Sequence, residues 1–203
     1  MPDIVREAHD LAHGLNFPTA SSPRPIGSAG VPSACIPEVG RLLQVLAAAK
    51  PDGVIAELGT GAGIGTAWLA SGAVGSAHVI SAELDRRLAT AVAELFSVRC
   101  RNVEIRTGDW HDVLGGDGML DLVFVDAPVQ DDLLPTNWDR ITELVNVGGQ
   151  IVMDDLTPVE LWPAEWVGSI DPKREFAFAN PRVIAAEVRT TPITSALVIT
   201  RIR

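Results

Sequence analysis

The chain has 203 residues, 47% of them apolar, which is enough to bury a full core in one domain without disulfide staples. Its formal net charge of −10 comes with no Lys/Arg stripe, so the surface repels phosphate backbones and excludes nucleic acid as a partner. Only two cysteines, Cys35 and Cys100, rule out a disulfide framework, and no apolar stretch reaches the roughly 20 residues of a membrane span. The opening MPDIVREAHDLAHG lacks the basic start and apolar segment of a secretory leader. A soluble cytoplasmic protein is therefore expected, with no membrane partner.

In chain order, residues 3–14 read as a short helix. Residues 16–37, NFPTASSPRPIGSAGVPSACIP, are too dense in Pro, Ser and Gly for regular structure and are expected to act as a lid. Residues 38–49 form an amphipathic helix with Val39, Leu42, Leu43 and Leu46 on one face. Strands are then predicted at 54–57, 77–82, 103–106, 120–125 and 150–153. Between them lie three helical patterns. They are carried by Ile64, Ala67 and Trp68; by Leu88, Ala91, Val92 and Leu95; and by Leu134, Trp138, Ile141 and Val145. Alternation of this kind implies right-handed crossovers and a parallel sheet covered on both faces.

Further on, Thr157-Pro158-Val159-Glu160 reads as a capping box with proline at the first helical position. Asp171-Pro172 opens a short helix that Asn180-Pro181 ends. Two β-like runs, 183–189 and 195–202, are separated by too few residues for a crossover and should pair antiparallel. The expected architecture is a single α/β domain spanning 1–203. It comprises an N-terminal helix and lid (1–37) and a Rossmann-like core (38–203) of five parallel strands plus a terminal antiparallel hairpin.

The first strand runs into a glycine loop, Glu57-Leu58-Gly59-Thr60-Gly61-Ala62-Gly63. A dinucleotide fingerprint, G-x-G-x-x-G, fails in every register, because the third glycine would fall on Ile64, Thr66 or Trp68. Each predicted parallel strand ends in acid: Glu57, Glu83, Asp109, Asp126, then Asp154-Asp155. Ligands of open α/β sheets bind beyond those ends. A row of carboxylates there suits a cationic ligand rather than a pyrophosphate.

The E-x-G-x-G-x-G loop resembles the first motif of class I S-adenosylmethionine-dependent methyltransferases, and the terminal hairpin is similar to the reversed strand of their sheet. That resemblance implies S-adenosylmethionine as cofactor, held by Glu57, Gly59, Thr60, Gly61, Gly63, Glu83, Asp109, Trp110 and Asp126. Glu83 would accept from the ribose hydroxyls, with Asp85 as the alternative. Asp109 would contact the adenine amino group, and Trp110 would pack on the ring or sit at the core edge. Ser33, Ala34 and Cys35 are expected to approach the cofactor from the lid.

More closely, the chain resembles the small catechol and caffeoyl-coenzyme A type O-methyltransferases. There an Asp after the fourth strand and an Asp-Asn pair after the fifth hold a divalent cation. The matching positions here are Asp126, Asp154 and Asp155, implying Mg²⁺ (or Mn²⁺ or Ca²⁺) that activates a small-molecule hydroxyl. Two departures stand out. Asp155 replaces the Asn, and the family's Lys after the fourth-strand Asp is missing from Asp126-Ala127-Pro128-Val129-Gln130-Asp131-Asp132. The chain's two lysines, Lys50 and Lys173, are remote in sequence. Asp126 and His111 are the candidate catalytic residues, His111 as a base titrating in the right range. Helix packing or an acceptor wall are the alternatives for Trp162, Trp166 and Phe176, with core expected for Phe176 and Phe178. Homodimers are common among the resembling enzymes. The alternatives are a metal-independent O- or N-methyltransferase, a nicotinamide-dependent oxidoreductase, and a non-catalytic cofactor-binding protein.

Overall fold

A computed structural model describes residues 1–19, 33–115, 120–126 and 135–203. The middle of the expected lid, Leu134, and the run after Asp126 lie outside them. Seven strands form one sheet: β1 (Val54–Leu58), β2 (His78–Glu83), β3 (Val103–Thr107), β4 (Leu120–Val125), β5 (Val145–Leu156), β6 (Val183–Arg189) and β7 (Ser195–Arg201). Their order is β3-β2-β1-β4-β5-β7-β6. β1 to β5 pair in parallel, while β7 runs antiparallel to both β5 and β6. Six strands thus share a direction and β7 alone opposes them, as the hairpin pattern predicts.

Seven α-helices complete the described residues: α1 (Asp3–Gly14), α2 (Pro37–Ala48), α3 (Ile64–Gly72), α4 (Arg86–Arg99), α5 (Trp110–Val113), α6 (Pro135–Leu144) and α7 (Pro172–Ala179). Because strand side chains alternate between faces, the central strands supply two cores. Ile55, Val79, Leu122 and Phe124 pack under α1 to α4. Ala56, Ile80, Val123 and Ile151 pack against Trp138, Ile141 and Phe176 of α6 and α7. The first face is tight. A methyl group added at Gly40 of α2 would stand 2.2 Å from the Trp68 indole of α3, so the two helices meet through a missing side chain. Among the described residues no helix is long and apolar enough to cross a membrane.

Three local expectations are corrected. Val145 does not extend a helix; α6 stops at Leu144, and Val145 pairs with Leu120 as the start of a twelve-residue β5. Thr157 caps nothing with its side chain. A single 3₁₀ turn (Val159–Leu161) follows Pro158 without a side-chain cap, while the Thr157 carbonyl accepts from Trp162 Nε1 (3.0 Å) and Arg174 Nη2 (2.9 Å). Phe178 is 57% exposed. It lies two residues beyond Phe176, about 200° around the helix, and so points away from the core where Phe176 stacks on Trp138 at 4.9 Å. The helix opened by Asp171-Pro172 forms as expected, with Asp171 Oδ1 accepting from the Lys173 and Arg174 amides.

Candidate active site

The strand order reverses between β1 and β4, which opens a crevice at their carboxyl ends. The glycine loop after β1 folds over it. Gly61 and Gly63 hold φ of +53° and +83°, which side-chain-bearing residues rarely adopt. Gly59 and Thr60 donate to the Ala82 carbonyl (3.0 and 3.1 Å), tying the loop to β2. The Gly61 amide donates to Glu83 Oε2 (2.7 Å), and the Asp85 amide donates to Glu83 Oε1 (2.8 Å). One carboxylate therefore joins the first two loops. Asp85 itself caps α4 through the Arg87 and Leu88 amides.

Beneath the loop lies Glu57, completely buried. Thr60 Oγ1 pairs with Ser81 Oγ (2.6 Å), Ser81 Oγ donates to Glu57 Oε2 (2.6 Å), and Thr66 Oγ1 donates to the same oxygen. Glu57 Oε1 has no hydrogen-bond partner among the described residues. Burial, reinforced by the Glu83 and Asp154 charges and opposed by the two hydroxyl donors, pushes its pKa up to about 8. Glu57 thus keeps its proton at neutral pH. It shapes the loop from below and is absent from the cavity wall.

That wall encloses about 580 Å³ and includes Phe17, Ser33, Ala34, Gly59 to Ala62, Glu83, Asp85, Asp109, Trp110 and Asp126. The volume suits a nucleoside-sized ligand. Among the described residues the lining carries four carboxylates and no Lys, Arg or His. Ser33 and Ala34 reach the cavity as expected; Cys35 is buried beside it. Its thiol pKa is pushed up by burial and by Asp126, Asp154, Glu57 and Asp155, which leaves it a poor nucleophile. Phe17, whose ring would meet a methyl added at Gly61 at 2.8 Å, was not expected at the site. The apolar start of the irregular segment, just past α1, was its only sign.

Asp109 caps α5, accepting from the His111 amide (2.9 Å) and facing His111 Nδ1 (2.7 Å). The amide bond chiefly, with the His111 ring and Arg140, holds its carboxyl below the usual range. His111 Nε2 lies 3.1 Å from Asn137 Oδ1, and the ring stacks on Trp110 at 3.6 Å. Both ring nitrogens of His111 therefore have a partner, Asp109 and Asn137, and the residue is not among the described residues lining the cavity. Gly63 also stands off the wall, turning the chain into α3. Trp162 and Trp166 pack edge to face (6.4 Å) away from the cavity wall.

Asp126 follows β4, its amide donating to the Leu58 carbonyl (2.9 Å), and its side chain borders the cavity. Burial first, then Asp154, Glu57 and Asp155, raises its pKa well above the carboxylate range, with Lys173 opposing. Asp154 is buried, whereas Asp155 is exposed and holds φ +60° where the β5–β7 register shifts. These acids share one electrostatic neighbourhood. Yet among the described residues no three His, Cys, Asp or Glu side chains are grouped as metal ligands. The break in register at Asp155 leaves Asp154 buried and Asp155 exposed. Lys173 Nζ donates to the Asp154 carbonyl (2.7 Å) in the same place. As arranged, this donor set does not fit a divalent ion.

No protein-family model matches the chain. Over 111 residues it is 36% identical to a catechol O-methyltransferase of Niastella koreensis, a match that covers half of each protein. The full-length likeness is structural. An O-methyltransferase from Bacillus cereus in complex with S-adenosylhomocysteine superposes with a TM-score of 0.75, at 23% identity over 99% of this chain and 92% of that one. An O-methyltransferase of tomaymycin synthesis from Streptomyces achromogenes, in complex with S-adenosylmethionine, gives 0.75 at 21% identity over 100% and 91%. The Rossmann-like methyltransferase fold expected from the sequence is the fold found.

Proposed function

We propose that the chain is an S-adenosylmethionine-dependent methyltransferase that acts on a hydroxyl of a small molecule. The observation that carries this reading is the cavity itself: a glycine loop and four carboxylates, without a cationic side chain in the described lining. A pyrophosphate would be repelled there, whereas a sulfonium and an ammonium are matched. The catechol O-methyltransferase likeness supports oxygen as the acceptor atom.

When bound, the cofactor supplies an electrophilic methyl whose sulfur keeps the bonding electron pair as the new O–CH₃ bond forms. The chain's own groups position and neutralise. Gly59 and Gly61 let the backbone approach the methionine end. Glu83 uses one lone pair on each oxygen for the Gly61 and Asp85 amides, leaving others for the ribose hydroxyls. Asp109, held by His111, faces the adenine end beside Trp110. Asp126, which borders the cavity after β4, is the candidate to take the proton of the acceptor hydroxyl. Much of the acceleration would come from holding donor and acceptor in line.

The reading is tested by calorimetry and thermal shift with S-adenosylhomocysteine and NAD⁺. One-to-one binding of the former is expected, with about 2.7 kcal/mol of stabilisation at a hundredfold excess over Kd. Stabilisation by NAD⁺ alone would overturn it in favour of an oxidoreductase.

A further inference from the structure

We propose that Lys173 is the resident cation at the acceptor end of the site, its ammonium anchored on the Asp154 carbonyl at the end of β5 in place of a divalent ion. The placement as an acceptor end rests on the methyltransferase reading; the ammonium's position does not.

The position is specific. Lys173 is the second residue of α7, after the cap Asp171 and Pro172. A cation in the first turn of a helix opposes the helix dipole, so local preference does not explain the residue. What it gains lies across the fold: Nζ donates to the Asp154 carbonyl, nineteen residues back at the end of β5, at 2.7 Å. An ammonium has three N–H donors, and this bond takes one. The same charge acts on Asp126 at the end of β4, where it opposes burial and the charges of Asp154, Glu57 and Asp155.

The helix turn that carries Lys173 is pinned rather than mobile. Next to it, Arg174 donates to Asp171 Oδ2 (2.7 Å), to both Glu187 carboxylate oxygens (2.6 and 2.9 Å) and to the Thr157 carbonyl (2.9 Å). Its guanidinium also lies 5.5 Å from the centre of the Trp162 ring. Thr157 is three residues past Asp154, so this clamp fixes α7 against the end of β5 and sets the reach of Lys173. An anchored ammonium supplies one positive charge without bringing two acceptor oxygens together, as a chelated ion does. A single hydroxyl then satisfies the site, and a vicinal diol is not required.

The test is Mn²⁺ binding, read by loss of the free-ion electron paramagnetic resonance signal and repeated calorimetrically with Mg²⁺. The proteins are wild type, Lys173→Arg, Lys173→Met and Lys173→Met/Asp126→Asn, each with saturating S-adenosylhomocysteine. Wild type and Lys173→Arg are expected to bind no tighter than about 1 mM, the range of weak carboxylate sites. Removing the ammonium should expose the carboxylates, so Lys173→Met should gain a one-to-one Mn²⁺ site at least about tenfold tighter, abolished in the double variant. Lys173→Gln replaces it if the Met protein does not fold. A tight site already present in the wild type, or no gain on removing Lys173, would overturn the assignment. If S-adenosylhomocysteine fails to bind, the methyltransferase reading falls, and the same comparison without it still decides the role of Lys173.

Discussion

Replacing Glu57 by Gln isolates the one buried acid of the glycine loop. Its folded pKa of about 8 stands against an ordinary 4.5 in the unfolded chain. The folded state therefore holds a proton that the unfolded state releases from pH 4.5 upward. The group's contribution is fully present below pH 4.5 and lost as pH rises through 8, because the unfolded state binds fewer protons across that window. At about 1.36 kcal/mol per pH unit, the interval from pH 5 to 7.5 amounts to about 3 kcal/mol. Gln cannot titrate, so Glu57→Gln lacks this slope. Its amide, placed where Glu57 Oε1 has no partner among the described residues, costs about 1–3 kcal/mol, but at every pH alike. Urea unfolding at pH 5, 6, 7 and 8 gives the stability difference between the two proteins at each step. The wild type should lose about 3 kcal/mol relative to the variant over the range. A difference constant to within about 0.5 kcal/mol would show that Glu57 is ionised under the loop, and the neutral-acid account would be wrong.

Three further outcomes follow from contacts. Gly40→Ala drives a methyl into the Trp68 indole and should cost about 2 kcal/mol by urea unfolding, with S-adenosylhomocysteine affinity unchanged. Asp155→Asn keeps a residue that tolerates its φ of +60°, so stability should hold, whereas Asp155→Ala should lose about 1 kcal/mol; equal losses in both would contradict the backbone argument. His111→Ala removes the side-chain partner of Asp109 and the ring stacked on Trp110 of the cavity wall. Calorimetry should show about tenfold weaker S-adenosylhomocysteine binding, and an unchanged affinity would remove the supporting role given to His111.

The parts of the molecule legible in the sequence are those whose signal is local. Apolar runs such as LDLVFV set β4 to the residue, and the short TTPIT gap between two β-like runs required the hairpin. Three of the acids at the strand ends, Glu83, Asp109 and Asp126, line the cavity, because the fold carries the ends of parallel strands to one crevice. What the sequence does not resolve is how chain neighbours diverge in space. Asp154 and Asp155 are adjacent in the chain, yet one is buried and the other exposed, because a bulge in β5 divides them. His111 was legible as a titrating side chain, but not its contact with Asp109, which depends on how α5 starts.

Lys173 shows the limit most directly. The absence of a lysine after Asp126 was visible, and so was the presence of one far along the chain, but nothing local joins the two facts. The join is made by β5 ending where α7 begins its first turn, with Asp171, Arg174 and Glu187 fixing that turn against Thr157. A charge requirement at a site is a condition on space, and any element that reaches the place with the right group can meet it. In this fold the reach is 2.7 Å from Nζ to the Asp154 carbonyl. A lysine read as missing from one loop is therefore better sought among the cations of every element that borders the same carboxylates.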